Sequence, residues 1–356
     1  MSTSVMAALA AKRSAHFSIS SLPGGGILVA NLMLVIVAVF FLHIDLFGRG
    51  SLSTLTPVIG VMMIVALGQA FIVGTGGIDL SIPATVTLVG IIILKSSAGD
   101  NGSLAKALLL AAAACVLIGL MNGLLVEVLH LNALVVTLAT GQLIAGITRM
   151  YRGPVLAVSQ VPSKLSDFAS ASIFNLSAIM LVAIAVGVAV ALWLKFHVTG
   201  RTVAASSVAR AAAANTGLAA TRQRIVAWIV GTLMVGLGGV LLAGQISTPD
   251  LTLGSPYLLT SIVAVVLGGA AISGGRVKVA GTLLGALFIM LLEHIFRVRG
   301  YSSGVSSVVE GLVLGGGLAL VIGARTVRWT SLFAAREEST EGRSMTEPTN
   351  EQNSQE

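Results

Sequence analysis

The sequence has little charge and few aromatic residues. Only 10% of its 356 residues are Asp, Glu, Lys or Arg and 5% are aromatic, whereas 55% are hydrophobic. Soluble domains carry about 25% charged residues. The scarcity of charge and a mean hydropathy of +0.97 therefore exclude an ordinary soluble protein and predict an all-α polytopic membrane protein. They also argue against nucleic-acid binding, because a net charge of +7 in such a chain is typical of basic cytoplasmic loops.

Cysteine and nucleotide-binding motifs are also scarce. The single cysteine, Cys115, lies in an Ala-rich apolar run, which excludes an intramolecular disulfide framework and a cysteine-based zinc cluster. The chain has no Gly-x-x-x-x-Gly-Lys-Ser/Thr phosphate-binding loop, so any ATP and Mg²⁺ must be bound by a partner. We expect no cofactor or metal on this chain and no catalytic residue.

Apolar runs of about 20 residues predict roughly ten transmembrane spans. The first is too long for the core of a signal peptide, and the third, eighth and ninth are short. The transmembrane domain would cover residues 27–324, between an N-terminal tail (1–26) and a polar C-terminal tail (325–356) that is predicted to be disordered. The ten spans are 27–47, 55–74, 80–94, 104–129, 133–150, 174–196, 224–246, 257–272, 280–296 and 305–324.

An even number of spans places both termini on one side of the membrane. Lys and Arg are more frequent on that side, notably in the long Ala-rich loop 197–223. This bias predicts that both tails and this loop are cytoplasmic. Arg297 and Arg299 run against it.

The stretch from Gly74 to Pro83 interrupts the apolar pattern with three glycines, one carboxylate and one proline. The apolar run after it, 84–94, would form a helix of roughly 16 Å, whereas a bilayer core is about 30 Å thick. We therefore expect this stretch to lie below the headgroups, buried in protein or lining water. Asp79 is either a pathway or gating group or a cap for the first N–H groups of the next helix, with Pro83 in its first turn. We favour the cap.

Further polar residues lie within the predicted spans. Glu127 and His130 lie near the inner end of span four and are expected to reach water by snorkelling. Glu293 and Arg297 are spaced for an ion pair within one helix, and Glu310 stands alone in span ten. Four more residues either face a path for a hydroxylated solute or form interhelical hydrogen bonds of about 0.6 kcal/mol each: Asn122, Thr137, Thr140 and Gln142.

The sequence also contains a candidate internal repeat. Gly77-Ile78-Asp79-Leu80-Ser81 precedes the short span three, and Pro249-Asp250-Leu251-Thr252 precedes the short span eight. In the predicted topology these two segments start from opposite sides of the membrane. The pattern predicts an inverted repeat of spans 2–5 against spans 7–10, as is common in transporters.

Taken in order, three groups of segments resemble the permease subunits of bacterial ABC importers of the ribose/xylose/galactose type. The first is similar to that family's Gly-Gly-Ile-Asp-Leu-Ser signature, the second to its Asn-Gly-Leu-Leu-Val … Ile-Val-Thr-Leu pair, and the third to its last conserved region. The resemblance covers about residues 27–324. The segments are Gly76–Ser81; Asn122–Val126 with Val135–Leu138; and Val265–Gly269 with Ser273–Arg276 and Gly281–Gly285.

The resemblance implies a permease in the bacterial inner membrane that imports a monosaccharide or related polyhydroxy solute. It implies three partners: a second permease (the same chain or a related one), a cytoplasmic ATPase and an outside sugar-binding protein. Gly76, Gly77, Asp79, Leu80 and Ser81 would form the signature and gating loop. Loop 197–223 would dock the ATPase, the alternative being an ordinary solvated connector; its candidate residues are Arg201, Ala209, Arg210, Ala213 and Gly217.

The sequence departs from the family pattern at three places. Ser207-Val208-Ala209 and Arg210 replace the usual Gly-Gly-Asn and acidic residue of the docking loop, Asn132 replaces a frequent proline, and Ile82-Pro83 replaces Val-Gly after the signature. A competing class is an ion-coupled secondary transporter, in which inverted repeats and broken helices are also common. Such a transporter should carry paired acidic and basic residues near the midplane.

Overall fold

The computed structural model describes residues 25–153, 160–208, 219–302 and, within 304–316, all positions except 306, 310 and 314. The helices are α1 (Gly25–Ile36, continued by a π-helical segment Val37–Phe41), α2 (Arg49–Gly74), α3 (Ile82–Ser97), α4 (Leu104–Glu127), α5 (Ala133–Arg152), α6 (Ser163–Ser170), α7 (Ala178–Phe196), α8 (Val198–Val208), α9 (Ala220–Ile246), α10 (Tyr257–Leu267) and α11 (Val279–Val298). Two short antiparallel strands, β1 (Ser172–Ile173) and β2 (Leu176–Ser177), pair Ser172 with Ser177.

The all-α polytopic prediction is confirmed. Among the described residues, six helices are long and apolar enough to cross a membrane, namely α2, α4, α5, α7, α9 and α11, and three shorter apolar ones accompany them. The predicted shortness of spans three and eight is confirmed, because α3 has 16 residues and α10 has 11. The predicted shortness of span nine is wrong: α11 has 20 residues, because the helix begins at Val279 and continues beyond residue 296 to Val298. Part of span ten lies outside the described residues.

Helix α2 lies at the centre of the molecule, and 94% of the residues in its most apolar stretch are buried. It packs along α9 through facing glycines: a Cβ on Gly68 would come within 2.5 Å of the Gly231 carbonyl oxygen. Small residues allow backbones to approach this closely in membrane proteins. By contrast, α1, α4, α5 and α7 expose many large apolar side chains, as expected of a lipid-facing surface.

The connections between helices gather at two opposite ends. The signature end contains residues 75–81, 128–132, 197–208, 219 and 268–278, and the Gly275 N–H donates to the Gly74 carbonyl there (3.0 Å). The distal end contains residues 42–48, 98–103, 160–177, 247–256 and 299–302. Its contacts include the hydrogen bond between Asn101 and Ser163 (2.9 Å) and that from the Val161 N–H to the Ser247 carbonyl (2.9 Å). Successive spans therefore alternate in direction, as the predicted topology requires.

Candidate functional site

The signature loop, residues 75–81, joins α2 to α3 and is held by Asp79. This carboxylate is 1% exposed, and its Oδ1 accepts hydrogen bonds from the backbone N–H (2.7 Å) and the hydroxyl (2.5 Å) of Ser81. The donor therefore precedes the helix, whereas the capping hypothesis placed the donors in its first turn. Pro83 does lie in the first turn of α3.

Two neighbouring helices brace the signature loop. The Thr137 hydroxyl of α5 accepts a hydrogen bond from the Leu80 N–H (3.0 Å) and lies 3.1 Å from the Ile78 carbonyl oxygen. The Asn122 amide of α4 donates to the Ser81 hydroxyl (3.3 Å). Both side chains are fully buried. Their contacts therefore favour a structural hydrogen-bonding role for Thr137 and Asn122 over a role in lining a solute path.

The other two pathway candidates lie on different faces of α5. Thr140 is buried, 4% exposed, whereas Gln142 is exposed. Of the four candidates, Gln142 is thus the one whose side chain reaches the surface of this chain. Its neighbours on that surface are large and apolar, including Val135, Leu138 and Leu143. The pathway role of all four stays a prediction.

The glycines of the signature permit close approach by two other segments. Gly76 has φ +84°, and a Cβ there would lie 3.3 Å from the Ser273 carbonyl oxygen. At Gly77 a Cβ would lie 2.9 Å from the Trp228 ring. The signature loop therefore packs directly against the Ser273–Arg276 segment and against α9, so the first and third groups of motifs meet in space.

A buried ion pair links the signature loop to the start of α9. The Arg224 Nε donates to Glu127 Oε2 (2.6 Å), and its Nη2 donates to the Thr75 carbonyl of the signature loop. The Trp228 indole N–H donates to Glu127 Oε1 (3.3 Å). The Glu127 side chain is 1% exposed and that of Arg224 is 13% exposed. The expectation that Glu127 snorkels to water is wrong, because the arginine provides a partner inside the protein; His130 is exposed as expected.

The predicted docking loop is only partly described. Its first half forms α8, on which Arg201 is exposed. Ser207 near the end of α8 lies close to the last residue of α2, since a Cβ on Gly74 would lie 3.6 Å from the Ser207 hydroxyl. The loop resumes at Ala219 and continues into α9 and Arg224. The candidates Ala209, Arg210, Ala213 and Gly217 lie outside the described residues.

The distal loop, residues 247–256, repeats the turn of the signature loop. Asp250 Oδ1 accepts hydrogen bonds from the Thr252 backbone N–H (2.8 Å) and hydroxyl (2.9 Å). This is the bonding that Asp79 makes with Ser81, at the opposite end of the molecule and again before a short helix. The geometry supports the inverted repeat.

The distal loop descends along α3 into the molecule. Leu253 and Pro249 lie against Gly90, and a Cβ on Gly254 would lie 2.0 Å from the Pro83 carbonyl oxygen. The Thr87 hydroxyl fixes this contact by accepting from the Gly254 N–H (3.0 Å) and donating to the Pro83 carbonyl (2.8 Å). Pro83 is 14 residues from Ser97 at the other end of α3, or about 21 Å along a helix axis. The distal loop thus reaches the first turn of α3, deep between the two ends.

Polar residues of the distal loop are exposed at this depth. Asp250, Thr252 and Ser255 are exposed, whereas Leu253 and Gly254 are buried against α3. Irregular backbone at membrane depth is tolerated only where protein covers it or water lines it. This surface, formed by Asp250, Thr252 and Ser255, is called the α3 polar face below.

No group of three potential metal ligands occurs among the described residues. Glu293, His294 and Arg297 line one narrow crevice with the start of α2, and the ion pair predicted between Glu293 and Arg297 stays a prediction. Glu310 lies outside the described residues.

Comparison with known proteins places the chain in a family. Residues 51–322 match the family model described as the permease component of a branched-chain amino acid transport system. The ribose import permease RbsC of Bacillus subtilis is 29% identical over 80% of this chain and 88% of its own length. The autoinducer 2 import permease LsrC of an Enterobacter strain is 31% identical over 73% of this chain and 75% of its own. A probable ABC transporter permease of Sinorhizobium fredii is 29% identical over 74% of this chain and 79% of its own. No solved structure matches.

Proposed function

Because the chain belongs to the permease family of ABC importers that includes the ribose import permeases, we propose that it translocates a monosaccharide or related polyhydroxy solute across the bacterial inner membrane. The observation that carries the proposal is the α3 polar face. Exposed carboxylate and hydroxyl groups at membrane depth offer hydrogen bonds to a solute rich in hydroxyls. Charged residues at such depth are costly and typically mark a solute path.

A second permease completes the pathway in this proposal. The α3 polar face is open in a single chain, and lipid would leave its polar groups without partners. A second copy, or a related permease, would cover it and enclose water between the two chains. The solute would then pass along the interface between the two permeases, after delivery by a binding protein at the distal end.

The Glu127–Arg224 pair gives the signature end a mechanical role. Arg224 follows the docking loop directly and holds the Thr75 carbonyl, so displacement of the start of α9 must move the signature loop or break this buried contact. A separate ATPase bound at loop 197–223 would supply that displacement. Rigid movements of packed helices of this kind are common in switching proteins.

Transport assays can test the proposed pathway. We expect Ser255→Trp to reduce solute uptake at least tenfold, because an indole on the α3 polar face would fill the space between two permeases. Leu117→Trp is the control, since Leu117 is also exposed (66%) but lies on α4, away from that face. Uptake of a sugar panel is measured in membrane vesicles with ATP inside. Full uptake by Ser255→Trp would contradict this pathway.

The same assay separates an ABC importer from an ion-coupled transporter. A buried acid–base pair is the feature that an ion-coupled transporter would need, and Glu127–Arg224 is such a pair. If it has that role, uptake should follow an imposed ion gradient without ATP and without a copurifying ATPase. We expect uptake to require ATP and an ATPase that copurifies from native membranes.

A further inference from the structure

A polar cavity of about 530 Å³ opens at the distal end, away from the α3 polar face. Its walls come from the segment after α1, the first two turns of α2 and the last turn of α11. The polar side chains that line it are those of His43, Asp45, Ser51, Thr54, His294 and Arg299. The proposed transport function uses none of them.

The cavity lies where apolar spans end. The π-helical segment after α1 stops at Phe41, α2 begins at Arg49 and α11 stops at Val298. Phe40, Phe41 and Phe47 beside the cavity are 72%, 74% and 66% exposed. Bulky exposed apolar side chains next to a polar cavity place it at the boundary between hydrocarbon and water.

The cationic groups around the cavity favour an anion. Arg299 uses one N–H to hold the Leu42 carbonyl (2.8 Å), and its planar guanidinium has five N–H donors in all. Arg297 lines the adjoining crevice together with Glu293. The opposing charge in the cavity is that of Asp45, which is exposed and whose Oδ1 already accepts from the backbone N–H groups of Phe47 (3.2 Å) and Gly48 (2.7 Å).

The hydroxyls of the cavity select for a ligand that also donates hydrogen bonds. Ser51 Oγ already donates to the Asp45 carbonyl (2.5 Å) and Thr54 Oγ1 to the Gly50 carbonyl (2.9 Å). A hydroxyl has one donor and two acceptor sites, so both oxygens are left as acceptors. An occupant that fits therefore combines a phosphate for Arg299 with hydroxyls for Ser51 and Thr54.

We propose that this cavity binds the headgroup of an anionic phospholipid with a hydroxylated headgroup, of the phosphatidylglycerol class. The phosphate lies against Arg299 and the imidazoles, the glycerol hydroxyls donate to Ser51 and Thr54, and the acyl chains run along the exposed phenylalanines. The site also accounts for Arg297 and Arg299, which oppose the charge bias of the loops. Anionic lipids attract Lys and Arg at the membrane surface.

Native mass spectrometry and thermal unfolding of the full chain in a neutral, phosphate-free detergent test the proposal. Phosphatidylglycerol should bind and raise the Tm by several degrees, whereas phosphatidylcholine, which has no headgroup hydroxyl, should bind about tenfold more weakly. Arg299→Gln should weaken phosphatidylglycerol binding about tenfold, the loss expected for one charge-assisted hydrogen bond. Arg149→Gln, which removes an exposed arginine at the end of α5, should leave it unchanged.

The remaining arms separate this site from its rivals. Arg299→Gln also loses the bond to the Leu42 carbonyl, so Thr54→Val, which removes an acceptor without changing charge, should independently narrow the preference for phosphatidylglycerol over phosphatidylcholine. An equal Tm shift with soluble glycerol phosphate would identify a free-anion site and overturn the lipid proposal. Unchanged lipid binding by Arg299→Gln would also overturn it. If that variant bound lipid normally but took up less solute from a binding protein, the surface would instead be a docking site for that protein.

Discussion

At the scale of single residues, the stability of the Glu127–Arg224 ion pair depends on whether its interactions offset the free-energy cost of burying two charges. Removing two charges from water costs several kcal/mol per ion, and good geometry with further hydrogen bonds offsets that cost. Here the further bonds are those to Trp228 and to the Thr75 carbonyl. The two partners are unequally buried, so the loss of each should have a different effect.

We expect Arg224→Gln to destabilise the protein by about 3–5 kcal/mol, because it leaves the Glu127 charge buried without its cation. Glu127→Gln should cost less, since Arg224 retains some access to water. The double variant should be more stable than Arg224→Gln alone. Thermal unfolding of the four proteins in detergent forms a double-mutant cycle; additive effects would show that the two side chains do not interact.

Asp79 provides a second prediction at this scale. The Oδ1 atom carries both of its hydrogen bonds, whereas Oδ2 has no partner among the described residues. Asp79→Asn retains the accepting oxygen and should fold with little loss. Asp79→Leu leaves the Ser81 N–H and hydroxyl unpaired and should lose about 1–3 kcal/mol or more.

The yield of folded protein in membranes and its Tm in detergent measure this difference. Equal and complete folding of Asp79→Asn and Asp79→Leu would contradict a structural role for the carboxylate. If both fold but both fail in transport, Asp79 acts in the pathway instead.

Sequence patterns predict the importance of some of these residues but not the contacts of others, for a physical reason. Asp79 is conspicuous because an acidic residue in an apolar stretch is costly, whatever surrounds it. The pairing of Glu127 with Arg224 is not visible in the sequence, because 97 residues separate them and no periodicity relates them. Reading Glu127 as a snorkelling residue followed from its place near a helix end, which says nothing about which helix packs there.

At the scale of elements, the lengths of apolar runs predict the helices well. Burial in lipid or protein requires nearly continuous apolar sequence, so helix bounds follow from composition, and the short α3 and α10 were expected for this reason. The depth of the distal loop was not, since it depends on the contact of Gly254 with Pro83 and Thr87. The related sequences Asp-Leu-Ser and Asp-Leu-Thr indicated that the same turn would occur at both ends of the molecule.

The contact between the distal loop and α3 leaves no room for a side chain at Gly254. We expect Gly254→Ala to destabilise the protein by about 1–3 kcal/mol, the usual cost of forcing an extra methyl group into a packed interior. It should also reduce transport by displacing the α3 polar face. The matched control is Gly146→Ala on α5, where a Cβ would meet nothing within 4 Å.

Gly146→Ala should be neutral or stabilising, because alanine loses less backbone conformational entropy than glycine when the unfolded chain forms a helix. Both variants are compared by Tm in detergent and by solute uptake. A Gly254→Ala protein as stable and active as the control would show that the loop does not pack as described.

At the scale of the whole molecule, the two ends differ in chemistry. The distal end carries compact loops such as the one after α3. In that loop the Gly102 backbone N–H donates to the Asp100 carboxylate, and this hydrogen bond is the main cause that lowers the pKa of Asp100 below its usual value. The signature end contains the signature loop, the buried ion pair and α8, which is the described first half of the predicted docking loop. A permease driven by a soluble ATPase should present the signature end to the cytoplasm.

Site-directed labelling tests this orientation. Cys115 is the only cysteine of the chain and is 1% exposed, so it should remain unlabelled by a membrane-impermeant maleimide. Lys164→Cys and Arg201→Cys place matched thiols at exposed positions of the distal and signature ends. In spheroplasts we expect Lys164→Cys to react directly and Arg201→Cys to react only after permeabilisation, because loop 197–223 is then on the ATPase side. The reverse pattern would place the docking loop outside, where no cytoplasmic ATPase could reach it, and the coupling through Arg224 to the signature loop would fail with it.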